Sequence, residues 1–494
     1  MVTEKYGIYG ELIQSLAATP VSTATKIIFI GACASGDLNK AYEIASFADY
    51  ATRLGGAVGD GYNLTEAAIA AFRMVGLGGV VMIPVSHSTT FSSSDYVGDG
   101  VSTGAAAIVR YLAANPTAVV LVCAPSVTDA TALAAVKAAC KKADGHWDSV
   151  LVYDTDIPSG AVDANDVFID ADAVSKTVSD EQAICCLGKC KTDGAQVISM
   201  AAVRCCLMAR ADAGYGVPAR SGGNLAIQGM SAWGYSTHYN AVSASATAAL
   251  NGGGTATFTA KNAGADGNKI SVTVTMHGSG IQYVITTYVD DDSVDEHTVS
   301  GTGTYSNDYI TASVNGSWNV QATAGKVPLE GGADAQDVFS PVDIPEARAT
   351  ELSANGICAI VNYSGTFYTW GDHTSAFSNG AVSDERARFD NTIRMQIMIT
   401  NRFQMKYRTS VDAPMTLQMR DDVINEELDF LASLVAIGAL IGEPVCEFSP
   451  LDNSTDGVAQ GQFVWRIADT PTIPFKYGNL KVAYTQAGLS VYMQ

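Results

Sequence analysis

From Lys26 onward, short apolar runs alternate with stretches whose apolar side chains recur every three or four positions, the pattern of strands and helices in an α/β layer. Lys26–Gly31 (KIIFIG) reads as a buried strand and Ser46–Leu54 as a short helix closed by Gly55-Gly56. Asn63 with Glu66 makes a capping box ahead of a second helix carrying Leu64, Ala67, Ala68, Ala71, Phe72 and Val75, which Gly76 stops. The strand Val80–Val85, a helix Gly104–Ala114, the strand Ala118–Cys123, a helix Thr128–Ala143 and the strand Ser149–Tyr153 follow. Runs as apolar as Ala118–Val122 predict burial on both faces, as in a sheet covered by helices.

The pattern changes near Ala241. From there to about Ala335 the chain is rich in Thr, Ser, Gly and Val, and Ile270, Val272, Val274 and Met276 alternate with Ser271, Thr273 and Thr275, a strand with one wet face. Tyr283–Val289 supplies its partner, and the turn Glu330-Gly331-Gly332-Ala333-Asp334 closes the region. Strand and helix signals resume at Ile357–Asn362 and Asn425–Ile441, predicting a second α/β unit. Met1–Thr25 lacks helical periodicity, while Leu480, Val482 and Tyr484, then Leu489, Val491 and Met493, give two alternating strands near the C-terminus. Strands without partners recruit other chains through their free N–H and C=O groups. The expected fold is therefore a multi-domain α/β (α+β) protein: a mixed sheet flanked by helices, an inserted β-sandwich or β-barrel-like domain, and extended terminal arms. Its parts are an arm at 1–25, a core at 26–240 and 336–475, an insertion at 241–335 and a strand arm at 476–494.

A length of 494 residues corresponds to about three domains at roughly 150 residues each, or to one large domain with an insertion. With 47% hydrophobic and 16% charged residues, the composition is globular. The 29 Lys and Arg against 50 Asp and Glu leave a net charge of −21, which repels a polyanion and argues against nucleic-acid binding. Met1–Leu12 contains Glu4, Lys5 and Glu11 and has no apolar stretch of the secretory kind, so export by that route is not expected. Phe430–Gly442 is too short to span a bilayer and reads as a buried helix.

The chemistry-bearing residues form no recognisable site. Cys185, Cys186 and Cys190, then Cys205 and Cys206, lack the CxxC spacing of a zinc knuckle and read as core packing, with reduced thiols the default for all ten cysteines. The six histidines, His87, His146, His238, His277, His297 and His373, stand singly. No GxxxxGK[ST] loop occurs. Gly98-Asp99-Gly100-Val101-Ser102-Thr103-Gly104 comes nearest to a dinucleotide loop but has one residue too many between its second and third glycines, and reads as a turn plus helix cap. Asp290, Asp291, Asp292, Asp295 and Glu296 lack the alternation of a calcium loop and read as a solvated turn between strands.

Several segments, taken in order, carry a likeness. Gly7-Ile8-Tyr9-Gly10-Glu11, then Pro20-Val21-Ser22-Thr23-Ala24 and KIIFIG, resemble the opening of tail sheath proteins of contractile bacteriophages, contractile injection systems and R-type bacteriocins, where a PGVYxE arm leads into the first core strand. Ser46–Tyr50 with Arg53-Leu54-Gly55-Gly56 is similar to that family's SFxxFxxxFGG segment. Asn63–Phe72 with Gly76–Gly79 and Val80–Val85 is similar to its helix, glycine turn and second strand. Thr103–Leu112 and Val120–Asp129 (VLVCAPSVTD) look like the stretch that ends in its APG-TD motif. Gly356-Ile357-Cys358 and Tyr368-Thr369-Trp370-Gly371 resemble the run into its WGART signature, with Asp372-His373-Thr374 in place of Ala-Arg-Thr.

The resemblance implies a non-enzymatic structural subunit without cofactor or metal, polymerised as stacked hexameric rings around a tail tube and contracting to drive that tube through a target envelope. The implied partners are further copies of the chain, the tube protein, and baseplate and tail terminator proteins, with no direct nucleic acid and no membrane insertion. The implied location is the tail of a virion assembled in the host cytoplasm. Neighbours would be linked by donated strands, whose residues are Ile8, Tyr9 and Glu11 at one end and Leu480, Val482, Tyr484, Leu489, Val491 and Tyr492 at the other. Two other readings stay open: an α/β enzyme binding a nucleotide-type cofactor near Gly98–Gly104, and an adhesin that uses the inserted β domain.

Overall fold

The computed structural model describes residues 25–141, 147–239, 241–250, 254–277, 282–299, 304–315, 323, 325–333, 336–487 and 491. The chain divides into two compact units, one of Met1–Tyr235 with Pro341–Gln494 and one of Ser236–Ser340.

In the first unit the apolar runs become β1 (Lys26–Ala32), β2 (Tyr42–Ile44), β3 (Val80–Ser86), β4 (Val120–Cys123), β5 (Val150–Thr155) and β6 (Ala183–Leu187). Between them lie α1 (Phe47–Leu54), α2 (Asn63–Ala68) running into a π-helix (Ile69–Val75), α3 (Ser93–Val97), α4 (Ala106–Ala114) and α5 (Ala130–Cys140). β7 (Lys189–Thr192), β8 (Val197–Ser199), α6 (Met200–Tyr215), β9 (Ala226–Ile227) and β10 (Met230–Tyr239) complete this half. The second unit holds β11 (Ser245–Ala249), β12 (Thr255–Ala260), β13 (Ile270–His277), β14 (Gln282–Val289), β15 (Asp292–Val299), β16 (Thr304–Ser306), β17 (Ile310–Asn315) and β18 (Val327–Pro328), and β19 (Gln336–Pro341) leads back. The first unit then resumes with α7 (Glu346–Ala354), β20 (Ile357–Tyr363), β21 (Thr366–Trp370), α8 (Asp390–Tyr407), α9 (Leu417–Ala436), β22 (Val445–Glu447), α10 (Thr455–Ala459) and β23 (Arg466–Ala468).

Nine strands form one mixed sheet in the order β2-β3-β1-β4-β5-β6-β20-β21-β9. The pairs from β3 through β1, β4, β5 and β6 to β20 are parallel, while β2 on β3, β21 on β20 and β9 on β21 are antiparallel. The chain leaves β1 for β3 on one side and returns to β4 on the other, so right-handed crossovers put the two sets of helices on opposite faces. In agreement, α6 packs on α2 and the π-helix, and α5 on α3 and α4. Every residue of β4, β5 and β6 is buried, which is why these runs carry no polar alternation. All ten cysteines are buried and free, Cys185 and Cys186 in β6 and Cys205 and Cys206 in α6 among them.

Local signals explain several boundaries. The Ser46 hydroxyl accepts from the Asp49 N–H at the start of α1, and Gly55 ends that helix at φ 73°, a conformation open to glycine at little cost. The second unit is two antiparallel sheets, β11-β12-β17-β16 and β15-β14-β13-β18, around one apolar core that includes Phe258, Val272, Val274, Ile285 and Ile310. The alternation from Ile270 to Met276 is realised as β13 paired antiparallel with β14.

Four sequence expectations are corrected. Asn63 and Glu66 do not form a capping box: Asn63 lies inside α2, its Oδ1 accepting from Ala32 N at 2.6 Å, and Glu66 Oε2 accepts from Ser199 N at 2.7 Å. Both side chains reach distant backbone N–H groups in place of those of their own helix. The late strands found no second α/β unit, because β20 pairs parallel with β6 and extends the existing sheet, where α7 covers its apolar residues. Phe430–Gly442 is not one buried helix: α9 ends at Ala436, Leu431 and Leu434 face inward, and Ile437 and Ile441 lie on the surface. Of the acidic run, only Asp290 and Asp291 form a turn, with positive φ, and Asp292, Asp295 and Glu296 belong to β15. Among the described residues no helix is long and apolar enough to cross a membrane.

Candidate functional site: the roots of the terminal segments

An α/β sheet of this order would place a ligand outside the carboxyl ends of β1 and β4, where the strand order reverses. A cavity of about 130 Å³ lies there, lined by Ala32, Asn63, Glu66, Ser86, Tyr96 and Ser126 among others. Its polar groups are committed to one another. Ser126 N donates to Asp154 Oδ2 at 2.8 Å, Ser126 Oγ donates to Glu66 Oε2 at 2.5 Å, and Lys189 Nζ donates to Ser126 Oγ at 2.6 Å. Asp154 also accepts from Ser199 Oγ at 2.6 Å and Ala201 N at 2.7 Å, so the crevice ties β5, α6 and the loop after β4 together. The Gly98–Gly104 loop is likewise filled from within. Asp99 Oδ1 accepts from the N–H groups of Val101, Ser102 and Thr103 at 2.9, 2.6 and 2.8 Å, so the loop's own carboxylate occupies the place a phosphate would need. Hydrogen bonds from Ser102 hold the Asp99 carboxyl far below the usual range.

Burial pushes the Asp154 carboxyl up to about 6, against the attraction of Lys189 and its three hydrogen-bond donors. Because its folded-state value is raised, the stability it contributes is complete below the ordinary carboxylate range and is lost as pH rises through about 6. A carboxyl-carbon NMR titration is expected to show Asp154 with a midpoint near 6, whereas an ordinary value near 4 would contradict this.

The terminal segments are held quite differently. Of the N-terminal candidates, Ile8, Tyr9 and Glu11 lie outside the described residues, and so do Leu489 and Tyr492. The described N-terminal root is Thr25, whose Oγ1 donates to Asp212 Oδ2 at 2.6 Å, followed by Lys26, whose N–H donates to Val119 O at 2.9 Å. At the other end, residues 469–472 are hydrogen-bonded to the core, and beyond them Ile473 and Phe475 are exposed. Ile441 N donates to Thr470 O at 2.9 Å, Thr472 N to Ala439 O at 3.0 Å and Asn391 Nδ2 to Thr472 O at 2.8 Å, while Gln396 Nε2 donates to Asp469. Lys476 is a further anchor, its ammonium bonded to Asp372 and 3.3 Å from His373 Nε2.

After Lys476 the core loses its hold. Leu480, Val482 and Tyr484 are 85, 83 and 82% exposed, Val491 is exposed too, and residues 477–487 pair with no strand among the described residues. The expected strand at Leu480, Val482 and Tyr484 is therefore not formed among the described residues, where no edge pairs with it and the alternation has nothing to pack on, and the one expected at Leu489, Val491 and Met493 falls mostly outside them. The sequence signal was alternation itself; what sequence could not give was where the anchored part stops.

Asp372 and His373 stand where the resembled family has Ala-Arg, and both serve this anchor. His373 lies between the rings of Phe377 and Phe389, at centroid distances of 3.7 and 5.1 Å, and its Nδ1 donates to Arg388 O at 2.7 Å. Burial holds its imidazole below the ordinary value, which keeps Nε2 a free acceptor for Lys476.

Behind both roots lies an array of charges that sequence reading missed. Arg394 Nη1 donates to both oxygens of Asp212 at 2.8 and 2.6 Å, and Arg204 Nη2 donates to Asp390 Oδ2 at 3.0 Å and to Gly371 O at 2.8 Å. None of the four side chains is more than 1% exposed. Burial pulls Arg394 down, but Asp212 and Asp390 outweigh it and raise it, so the guanidinium stays charged. Gly222 passes over the array, its N–H donating to Asp390 Oδ2 at 2.8 Å, and a Cβ there would lie 2.8 Å from both Arg204 Nη2 and Asp390 Oδ2.

The chain has the fold of sheath proteins from contractile injection systems. Solved structures match it along its length: a chain of the anti-feeding prophage (AFP) baseplate, six-fold symmetrised, at 13% identity and a TM-score of 0.55, covering 98% of this chain and 100% of that one. The sheath complex of an extracellular contractile injection system, PVC, in the contracted state matches at 14% identity and a TM-score of 0.54, covering 99% of each chain. The contracted helical sheath of AFP matches at 14% identity and a TM-score of 0.52, covering 98% of this chain and 100% of that one. No protein-family model matches the sequence, and no curated protein does.

Proposed function

We propose that this chain is a non-enzymatic sheath subunit of a contractile tail or injection system, polymerising as stacked hexameric rings around a tube and linked to its neighbours by donated terminal strands. The observation that carries the reading is the C-terminal segment: firmly held to Lys476, then a run of alternate apolar side chains left in solvent. Leaving Leu480, Val482 and Tyr484 in water forgoes about 1.5–3 kcal/mol for each large apolar side chain, a loss that a neighbouring copy can recover. Strand addition supplies the backbone bonds, and alternate side chains fix the register.

A suitable acceptor is the antiparallel pair β22–β23. It has three residues per strand and no further strand beside it among the described residues, and two such strands alone are marginal in water. Beside it, Phe448, Phe463 and Trp465 form an aromatic cluster in which the Trp465 indole N–H has no partner among the described residues. The packing of rings around a tube, and contraction from an extended to a tighter lattice, would then need no nucleotide, since the free energy resides in the lattice.

Substituting Val482→Pro removes a backbone donor from the middle of the donated strand. The variant is expected to keep the monomer's unfolding midpoint and to form no tubes in negative-stain micrographs where the wild-type chain does. Native tubes from it would argue against strand donation at this position.

A further inference from the structure

We infer that Asp212, Arg394, Asp390 and Arg204 are positioning residues that join the roots of the two terminal segments, so that loosening either root loosens the other. This rests on the reading of those segments as inter-subunit arms and adds a mechanical link between them inside one subunit.

The route can be followed atom by atom. Thr25 Oγ1 donates to Asp212 Oδ2, and the same carboxylate takes both bonds from Arg394 Nη1. Arg394 Nε donates to Asp390 O at 3.1 Å, and Arg394 Nη2 to Arg220 O at 2.6 Å. Asp390 holds Arg204, and the Arg204 nitrogen that it holds also donates to Gly371 O, next in the chain to Asp372, which anchors Lys476. A second strand of the route runs through backbone groups: Asp390 N donates to Asp372 O at 2.9 Å, and the side-chain Nδ2 of Asn391 donates to Thr472 O at 2.8 Å. The first turn of α8 thus touches the supports of both roots.

The chemistry of the array favours a linking role over simple cohesion. Apolar side chains of the same volume would hold α6 against α8 at least as well as two ion pairs, whose desolvation offsets much of their attraction. They would not reach Thr25 or the Gly371 carbonyl. Arg204 Nε and Nη1 have no partner among the described residues, so this arginine sits with donors unmet in order to span Asp390 and Gly371. A charge displaced from such an array is stranded away from water, and the four side chains therefore hold their places together or yield together.

The test uses amide hydrogen exchange on the full-length monomer, because replacing Arg394 or Asp390 risks unfolding the chain. Thr25→Val and Lys476→Met each remove one root's side-chain anchor and leave the array in place. Thr25→Val is expected to speed exchange of the Thr472 and Ile441 amides by at least about twofold, and Lys476→Met to do the same for Lys26, the lower end of coupling between linked sites. Lys476→Arg should restore the wild-type rate at Lys26. Changes confined in both variants to the substituted root would overturn the inference. The reading beneath it is judged separately, by whether the wild-type chain forms tubes: reciprocal exchange without tubes would sink the arms and keep the link, and tubes with local exchange would do the reverse.

Discussion

A chain lacking residues 1–24 but retaining Thr25 is expected to fold as a monomer and to form no tubes. The described core closes without those residues: β1 lies between β3 and β4 with its apolar residues buried, and the Thr25 hydroxyl and Lys26 N–H supply the root's anchors. Its thermal midpoint should stay within about 2 °C of the full chain, as for changes that leave the core untouched. Assembly should be abolished rather than weakened, since a ring whose members each lack one donated strand loses that link at every interface. Size-exclusion chromatography and negative-stain microscopy of the two proteins, side by side, decide the matter. Tubes of normal length from the truncated chain would remove Ile8, Tyr9 and Glu11 from the mechanism and leave the C-terminal segment to act alone.

The main sheet was legible in the sequence because its strands are buried on both faces, so that runs such as Lys26–Gly31 and Val80–Val85 stand out against helices of different period. The insertion was legible because one wet face imposes alternation, as from Ile270 to Met276. Asn63 and Glu66 misled because a capping pair and a pair of tertiary tethers have the same spacing, and only the fold decides which backbone N–H groups lie within reach. The π-helix Ile69–Val75 carries no separate signature, since its apolar residues also suit an α-helix. The ion array was hidden by distance along the chain: Arg204 and Asp390 are 186 positions apart, and no local pattern links them. The alternation at Leu480–Tyr484 is plain in the sequence, yet among the described residues it pairs with no strand and its apolar side chains stay exposed.

Removing one member of the array should have the largest effect on stability of any single substitution considered. Asp390→Ala is expected to destabilise the first unit by roughly 3–5 kcal/mol, the range for breaking a buried ion pair while its partner remains. Arg204 would lose the carboxylate it is paired with while Nε and Nη1 already lack partners among the described residues, and the Gly222 N–H would lose its acceptor. Arg394 would keep Asp212, so the loss is concentrated on one side of the array. Asp390→Asn is expected to cost less, because the amide keeps an acceptor for Gly222 while giving up the charge that faces Arg204. Urea unfolding followed by tryptophan fluorescence reads this unit, which contains Trp147, Trp233, Trp370 and Trp465. A loss below about 1 kcal/mol for Asp390→Ala would mean that water enters to solvate Arg204, and an array so easily hydrated could not hold two roots in register.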